Sequence, residues 1–393
     1  MIANHPIKEQ EKILEKNVRS MLLSRVVGCK LSHIGLQKSP APINLTFSVT
    51  NMCQSRCKTC SIWRTYLDQR SRFSDELTLD EIEKIFSGVG QVYFFNISGG
   101  EPFLRQDLTQ IVAAACKYLK PSVIHTPTNA LLPRRIEEKV EEILEIIRAS
   151  GREIPFTIKP SFDGVGKVHD EVRGVAGNFD KVMDTLSRLK NLQKKYPNLE
   201  IGVGTVISKF NLDHVEETAK FVRQLDVDSY ISEIAEERTE LFNTGQPITP
   251  DPLEYEKAIE TFNSHLSKSI GKAHKVSSMT LAVRQVYYSY AIRIMKERRQ
   301  VIPCYAGISN VHISPYGDVW PCCVLGYDKS MGNLRDHDYD FKKVWHSEKA
   351  SDVRRFIADG KCHCPLANQA YSNILCSPAA VFKVMTQRRS ARR

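Results

Sequence analysis

The sequence has no run of about eighteen apolar residues, so no membrane-spanning helix is expected. Its opening stretch, MIANHPIKEQEKILEKNVRS, is too polar for a secretory signal, and the expected location is cytoplasmic. It has no internal repeat and no long low-complexity tract. Aromatic residues make up only 8% and do not interleave with the basic ones, so the pattern of a base-stacking surface is missing and nucleic acid is not an expected partner. A net charge of +10 still permits anionic partners such as phosphates or an anionic membrane surface. The stretch KVMTQRRSARR holds five of the positive charges, so the body of the chain is less basic than the total.

Cysteine is what the chain has in quantity, eleven in 393 residues. A disulfide scaffold is not expected at this size without export. The cysteines are also clustered: Cys53, Cys57 and Cys60 fall within eight residues, and six more lie between Cys304 and Cys376. Only Cys29 and Cys116 stand apart, and these read as ordinary buried thiols. Such clustering points to metal or iron–sulfur ligation.

Hydrophobic periodicity sets the framework. Leu14, Val18, Met21, Leu22, Val26 and Cys29 recur at helical spacing, which predicts an amphipathic helix over residues 8–31. It caps the domain or lies against a membrane or lipid-like substrate; both readings stay open. From residue 45 strand-like and helix-like segments alternate. LTFSVT, VYFFNIS, SVIHTPT, PFTIKPSF, EIGVGTVI and DSYISEI read as six strands. The helix LTLDEIEKIFSGV has Thr78 as N-cap with Glu81 three residues on. Repeated βα units call for a parallel sheet with helices outside, and six strands fit a partial barrel. The expected fold is α/β: a partial (βα)6 barrel with parallel strands, plus a small C-terminal cysteine-rich α+β module. The expected boundaries are an N-terminal helix and linker over 1–40, the barrel over 41–235, a helical bridge over 236–300, the cysteine module over 301–380 and a basic tail over 381–393.

Cys53, Cys57 and Cys60 follow the first strand, at the end where parallel α/β folds place their chemistry. A structural zinc site closes with four ligands. A [4Fe–4S] cube also takes four thiolates, so three would leave one iron open. The C-x3-C-x2-C spacing in this position resembles the radical S-adenosylmethionine (SAM) superfamily. The resemblance implies that the open iron binds the amino and carboxylate groups of SAM, that reduction cleaves SAM to a 5′-deoxyadenosyl radical, and that this radical takes a hydrogen atom from an unactivated C–H bond. Further stretches match in order. SGGEP ends the second strand, and Gly99, Gly100, Glu101 and Pro102 correspond to the element that lines up with the SAM amino group. SFDG precedes HDEVRG, so Ser161, Asp163 and Arg173 fall where relatives hold the ribose and the SAM carboxylate, and the forked donors of Arg suit a carboxylate. Pro127, Thr128, Asn129 and Asn211 also end or follow strands and are expected to line the cleft. Many relatives carry an aromatic residue before the third cysteine; this chain has Thr59, with Trp63 as the nearest substitute.

The segments CYAGISNVHISPYGDVWPCC, MGNLRDHDYDFKKVWHS and GKCHCPLANQAYSNILC resemble the twitch and SPASM modules of such enzymes. A full SPASM module uses seven or more cysteines; the six after residue 300 imply one auxiliary [4Fe–4S] cluster. Cys304 and Cys322 are its first expected ligands, and the other two come from Cys362, Cys364 and Cys376. Cys323 is set aside, because neighbours in a strand face opposite ways. Where relatives show a further Cys, this chain has Asn368, and Cys376 is the expected replacement.

The leading reading is therefore a radical SAM enzyme acting on a small-molecule substrate, phosphorylated or lipid-like, fed by a flavodoxin- or ferredoxin-type electron donor and with peripheral membrane contact. The alternative within the class is a peptide-modifying maturation enzyme. The alternative from another class is a non-catalytic zinc or nucleic-acid-binding protein.

Overall fold

Each of the six expected strands forms, and the burial along them explains why. Asn44–Ser48 (β1), Phe94–Ser98 (β2), Val123–Thr128 (β3), Phe156–Pro160 (β4), Leu199–Ile207 (β5) and Ser229–Ile234 (β6) alternate apolar with polar side chains. Leu45, Phe47, Phe95, Ile97, Ile124, Phe156, Ile158, Ile201 and Val203 share one buried cluster with the flanking helices. The residues between them turn to the inner face and bond to one another. Asn96 donates to Thr46 (3.3 Å), the His125 ring meets Asn96 (2.7 Å), and Lys159 pairs with Glu233 (3.0 Å).

The computed structural model describes residues 5–68, 70–272 and 275–390. Nine strands make one open sheet in the order β6-β5-β4-β3-β2-β1-β7-β8-β9, the last three being Asn310–Ile313 (β7), Asp318–Trp320 (β8) and Gly332–Asn333 (β9). Strands β1 to β6 pair in parallel, as a partial barrel requires. The cysteine-rich region does more than follow the barrel. Its β7 pairs in parallel with β1, Asn44 opposite Asn310 through Phe47 opposite Ile313, so it extends the same sheet. A β7–β8–β9 antiparallel meander then turns the chain back.

The N-terminal helix runs His5–His33, and Leu22, Val26 and Cys29 pack against Ile43, Tyr305 and Ile308. Leu14 of the expected stripe lies outside the described side chains, and Arg392 and Arg393 of the basic tail lie outside the described residues. Helices Pro252–Lys272 and Lys275–Glu297 pack against each other, and their Tyr255, Tyr287 and Tyr288 build a second buried cluster with Ile207 and Ile234.

Helix Leu79–Val89 begins in a full capping box: Glu81 N–H donates to Thr78 Oγ1 (3.4 Å) and Thr78 N–H to Glu81 Oε2 (2.8 Å). Thr78→Ala is expected to cost about 1 kcal/mol. The check is the thermal midpoint, which drops by about 1 °C; an unchanged midpoint contradicts the assignment.

Candidate active site and thiol centres

The three-cysteine loop leaves β1 at its C-terminal end and is held from two sides. On one side lies the Gly-Gly-Glu turn after β2. Gly100 N–H donates to Thr50 O and Glu101 N–H to Met52 O, both at 2.7 Å. The approach is close enough to demand glycine: a Cβ on Gly99 would stand 2.2 Å from Thr50 O, and one on Gly100 2.2 Å from Met52 O. On the other side, Arg56 N–H donates to Arg173 O (3.0 Å) and Lys58 N–H to Val172 O (2.9 Å), at the end of helix Lys167–Arg173.

Glu101 is fully buried and its oxygens are occupied. Thr128 Oγ1 (2.8 Å) and Phe103 N–H (3.3 Å) donate to Oε1, and Asn129 N–H (2.7 Å) to Oε2. Burial pushes its carboxyl up to about 7, with these hydrogen bonds pulling the other way. Glu101 thus ties the ends of β2 and β3 together. Asn129 adds a side-chain contact, Nδ2 to Cys53 Sγ at 3.7 Å.

Arg173 brings the positive charge. Its Nη1 donates to Asp163 Oδ2 (3.1 Å), its Nε has no partner, and its field acts on Cys57 and Cys53. Asp163 is buried and spends Oδ1 on Val206 N–H (2.8 Å). Ser161 pairs with Gly204 beside β5 and donates its N–H to Thr128 O (2.9 Å). Asn211 departs from expectation. Its Nδ2 donates to Asp163 O and Val206 O, and its Oδ1 accepts from Ser208 N–H and Oγ, so it staples a turn and presents no free group to a cofactor. Trp63 stands beside the third cysteine, donating Nε1–H to Cys60 O (3.0 Å), but Arg64 (5.0 Å) and Arg56 (5.9 Å) lie over its ring.

Desolvation pushes the Cys53 thiol up to about 12, with the neighbouring Cys57 and Glu101 adding to it, and raises Cys57 and Cys60 in the same sense. Three thiols so placed ionise only against a strong positive centre, which a metal group supplies.

A second set stands in the C-terminal region. Cys304, Cys322, Cys362 and Cys364 line one cavity. Burial pushes Cys322 up to about 12 and Cys362 to about 11 and raises Cys304 and Cys364, and each of Cys322 and Cys364 feels its neighbours in the set. Gln300, which the sequence did not single out, pins two of the segments: its Oε1 accepts from Cys304 N–H (3.3 Å) and its Nε2 donates to Cys362 O (3.0 Å).

Cys376 is not in this set. It ends helix Ala367–Cys376 and does not line the cavity that the other four cysteines share. It is buried against Cys29 on the N-terminal helix, in a thiol–thiol hydrogen bond. The expected replacement ligand is therefore a packing thiol, and Asn368 turns to the inner face, where Nδ2 donates to Thr46 Oγ1 (3.2 Å). Cys323 faces away from Cys322's partners toward Arg238 and Glu240, although the chain there is a turn and not a strand. Among the described residues, no three His, Cys, Asp or Glu side chains close on a single point as one metal ion requires. The second all-thiol set lines a cavity, which suits an iron–sulfur cluster better than zinc's tight tetrahedron.

Comparisons with known proteins agree with this geometry. The family model of the radical SAM superfamily matches residues 47–222, and that of an iron–sulfur cluster-binding domain, SPASM, matches residues 304–365. The antilisterial bacteriocin subtilosin biosynthesis protein AlbA of Bacillus subtilis is 24% identical over 80% of this chain, and the chain spans 64% of AlbA's length. The AdoMet-dependent heme synthase of Oleidesulfovibrio alaskensis is 25% identical over 84% of this chain and 82% of its own. Streptococcus suis SuiB bound to its precursor peptide SuiA superposes with a TM-score of 0.57 at 18% identity, covering 83% of this chain and 69% of SuiB. The structure of anSMEcpe with bound AdoMet and a peptide gives 0.57 at 16%, covering 89% and 99%. The fold and the two thiol centres define an iron–sulfur enzyme on a partial barrel. The chain belongs to the radical SAM superfamily and carries a C-terminal SPASM-like module. Its cofactors are SAM, the [4Fe–4S] cluster that binds it and auxiliary iron–sulfur.

The two candidate fourth ligands of the second set are separable by iron analysis. Cys364→Ala is expected to remove roughly half of the iron and acid-labile sulfide, while Cys376→Ala leaves both at the wild-type level. The reverse pattern contradicts the placement.

Proposed function

We propose that Cys53, Cys57 and Cys60 ligate the SAM-binding cluster, and that Cys304, Cys322, Cys362 and Cys364 ligate a single auxiliary [4Fe–4S] cluster. The observation that carries this reading is the three-thiol loop clamped between the Gly99–Gly100 backbone and Arg173. When bound, the SAM-loaded cluster supplies hydrogen-atom abstraction from an unactivated C–H bond. This chain's own residues bind and orient. The Gly99–Gly100–Glu101 backbone and Pro102 offer a surface for the SAM amino group, and Ser161 stands at the adjoining strand end. Arg173, oriented by Asp163, supplies the forked donors that suit a carboxylate. Cys304, Cys322, Cys362 and Cys364 would hold the auxiliary cluster, which would supply an acceptor for an electron from a substrate being oxidised, and a flavodoxin- or ferredoxin-type donor would supply the electron for the first cluster.

The substrate enters the polar inner face between the two thiol sets. The small-molecule reading takes its support from the polar side chains of that face, Asn96, His125, Lys159 and Glu233. A phosphorylated substrate is less favoured: among the described residues Lys159 pairs with Glu233, Arg238 lies 3.5 Å from Glu236, and Arg173 is assigned to SAM. Peptide modification is the second reading, favoured by the peptides bound to SuiB and anSMEcpe, with one side chain of the peptide as the reacting part.

Replacing Cys53, Cys57 and Cys60 together by Ala is expected to abolish SAM cleavage to 5′-deoxyadenosine and remove about four irons per chain. Full cleavage by that variant ends the assignment.

No helix among the described residues is long and apolar enough to cross a membrane. Peripheral contact is supported by Leu23, Val27 and Ile34, which are 69%, 56% and 66% exposed along one side of the N-terminal helix and the residue after it, with Lys30 between them. Leu23→Asp with Val27→Asp is expected to abolish co-sedimentation with anionic liposomes; equal sedimentation of both proteins removes the membrane argument.

A further inference from the structure

Between the three-cysteine loop and helix Leu79–Val89 lies a buried carboxylate that neither thiol set uses. Glu76, shortly before the Thr78 cap, is 6% exposed. Its Oε1 accepts from Thr50 Oγ1 (2.7 Å) and Asn51 N–H (2.9 Å), which precede Cys53, and from the hydroxyl of Tyr66, which follows Cys60. Its Oε2 accepts from Arg105 Nη1 (3.2 Å). One side chain thus receives both ends of the segment that carries Cys53, Cys57 and Cys60. Arg105 holds the carboxylate in turn. It follows the Gly-Gly-Glu turn, donates to Val49 O (3.1 Å) and Leu77 O (2.6 Å), and pairs with Asp107.

Through Thr50 this carboxylate reaches the contact with the Gly-Gly-Glu turn. Met52 N–H donates to Thr50 Oγ1 (3.0 Å), and that hydroxyl is aimed by Glu76. It therefore sets the bend whose carbonyls, Thr50 O and Met52 O, receive the N–H groups of Gly100 and Glu101. The C-terminal module joins the same cluster. Tyr316, between β7 and β8, meets the Tyr66 hydroxyl (3.1 Å) and accepts from Asn51 Nδ2 (3.4 Å), while Leu77 N–H donates to Pro315 O (2.7 Å). Burial and the adjacent Glu76 raise the pKa of the Tyr66 hydroxyl, which therefore stays a donor. Three donors on one oxygen and a guanidinium on the other call for an ionised acceptor, since charge-assisted hydrogen bonds are the strong ones. A glutamine of the same shape would keep an oxygen for the three but turn its NH2 group toward Arg105.

Resting on the class of enzyme proposed above, we propose that Glu76 is a positioning residue for SAM. It acts through Thr50, Asn51 and Tyr66. By fixing both ends of the three-cysteine loop it sets how that loop meets the Gly99–Gly100–Glu101 backbone, the surface assigned to the SAM amino group. Tyr316 makes the C-terminal module part of the support, so the hairpin of the auxiliary centre braces the loop of the first.

The test uses the full chain, anaerobic and with both clusters, and titration calorimetry with SAM. Glu76→Gln, at wild-type iron content, is expected to bind SAM about tenfold more weakly, as the loss of charge-assisted hydrogen bonds predicts. Thr78→Ala is the control: it lowers stability from the same segment but removes no bond to the loop, and its SAM affinity is expected to stay within about twofold of wild type. Hydrogen–deuterium exchange without SAM reads the loop itself. Amides of residues 50–60 are expected to exchange about tenfold faster in Glu76→Gln, and those of Leu79–Val89 at the wild-type rate. Should Glu76→Gln lose iron, Tyr66→Phe takes its place: it removes one donor, leaves the carboxylate, and is expected to weaken SAM binding about threefold. Unchanged SAM affinity in the deciding variant, an equal loss in Thr78→Ala, or wild-type exchange of the loop overturns the proposal. Failure of the wild-type protein to bind SAM would indict the enzyme class instead, and the exchange comparison would still decide whether Glu76 holds the loop.

Discussion

The site depends on two short hydrogen bonds, from the N–H groups of Gly100 and Glu101 to the carbonyls of Thr50 and Met52. They fix how the chain leaves β1 and therefore where Cys53 begins the thiol loop. They close only because neither Gly99 nor Gly100 has a side chain, since a Cβ at either position would sit inside the facing carbonyl. The same turn carries Glu101, which locks β3 through Thr128 and Asn129, and Asn129 in turn reaches Cys53. One backbone contact thus aligns three strand ends with the thiol loop. Arg173 completes the frame from the opposite side, through the helix that pairs with Arg56 and Lys58.

The two thiol sets share an electrostatic problem. Each is buried enough to hold its thiols protonated in the absence of a cation, so metal binding and ionisation are one event. The space between them is polar and slightly acidic, with Lys159, Arg173 and Arg238 each matched to a carboxylate. The basic total of the chain lies elsewhere.

Local signals carried most of the fold. The six strands were legible because each alternates an apolar outer face with a polar inner one, and Thr78–Glu81 because a capping box is a contact between near neighbours. The three cysteines and Gly-Gly-Glu stood out as candidates for the same reason. What stayed hidden depends on distance in the chain. Pairing of β7 with β1 joins residues more than 250 positions apart, and nothing in either strand names its partner. Cys376 was misplaced because cysteine spacing does not reveal that a ten-residue helix carries it away to Cys29. Asn211 was read as a cleft residue, since a polar strand end looks the same whether it faces a ligand or staples its own turn.

The account stands or falls on one iron that the protein leaves for SAM. Electron paramagnetic resonance of the anaerobically reduced enzyme, recorded with and without SAM, tests this most directly. Binding at an open iron predicts that SAM changes the signal of the cluster held by Cys53, Cys57 and Cys60 while the auxiliary signal stays as it was. A spectrum indifferent to SAM, or a three-cysteine site that carries no iron, would contradict it.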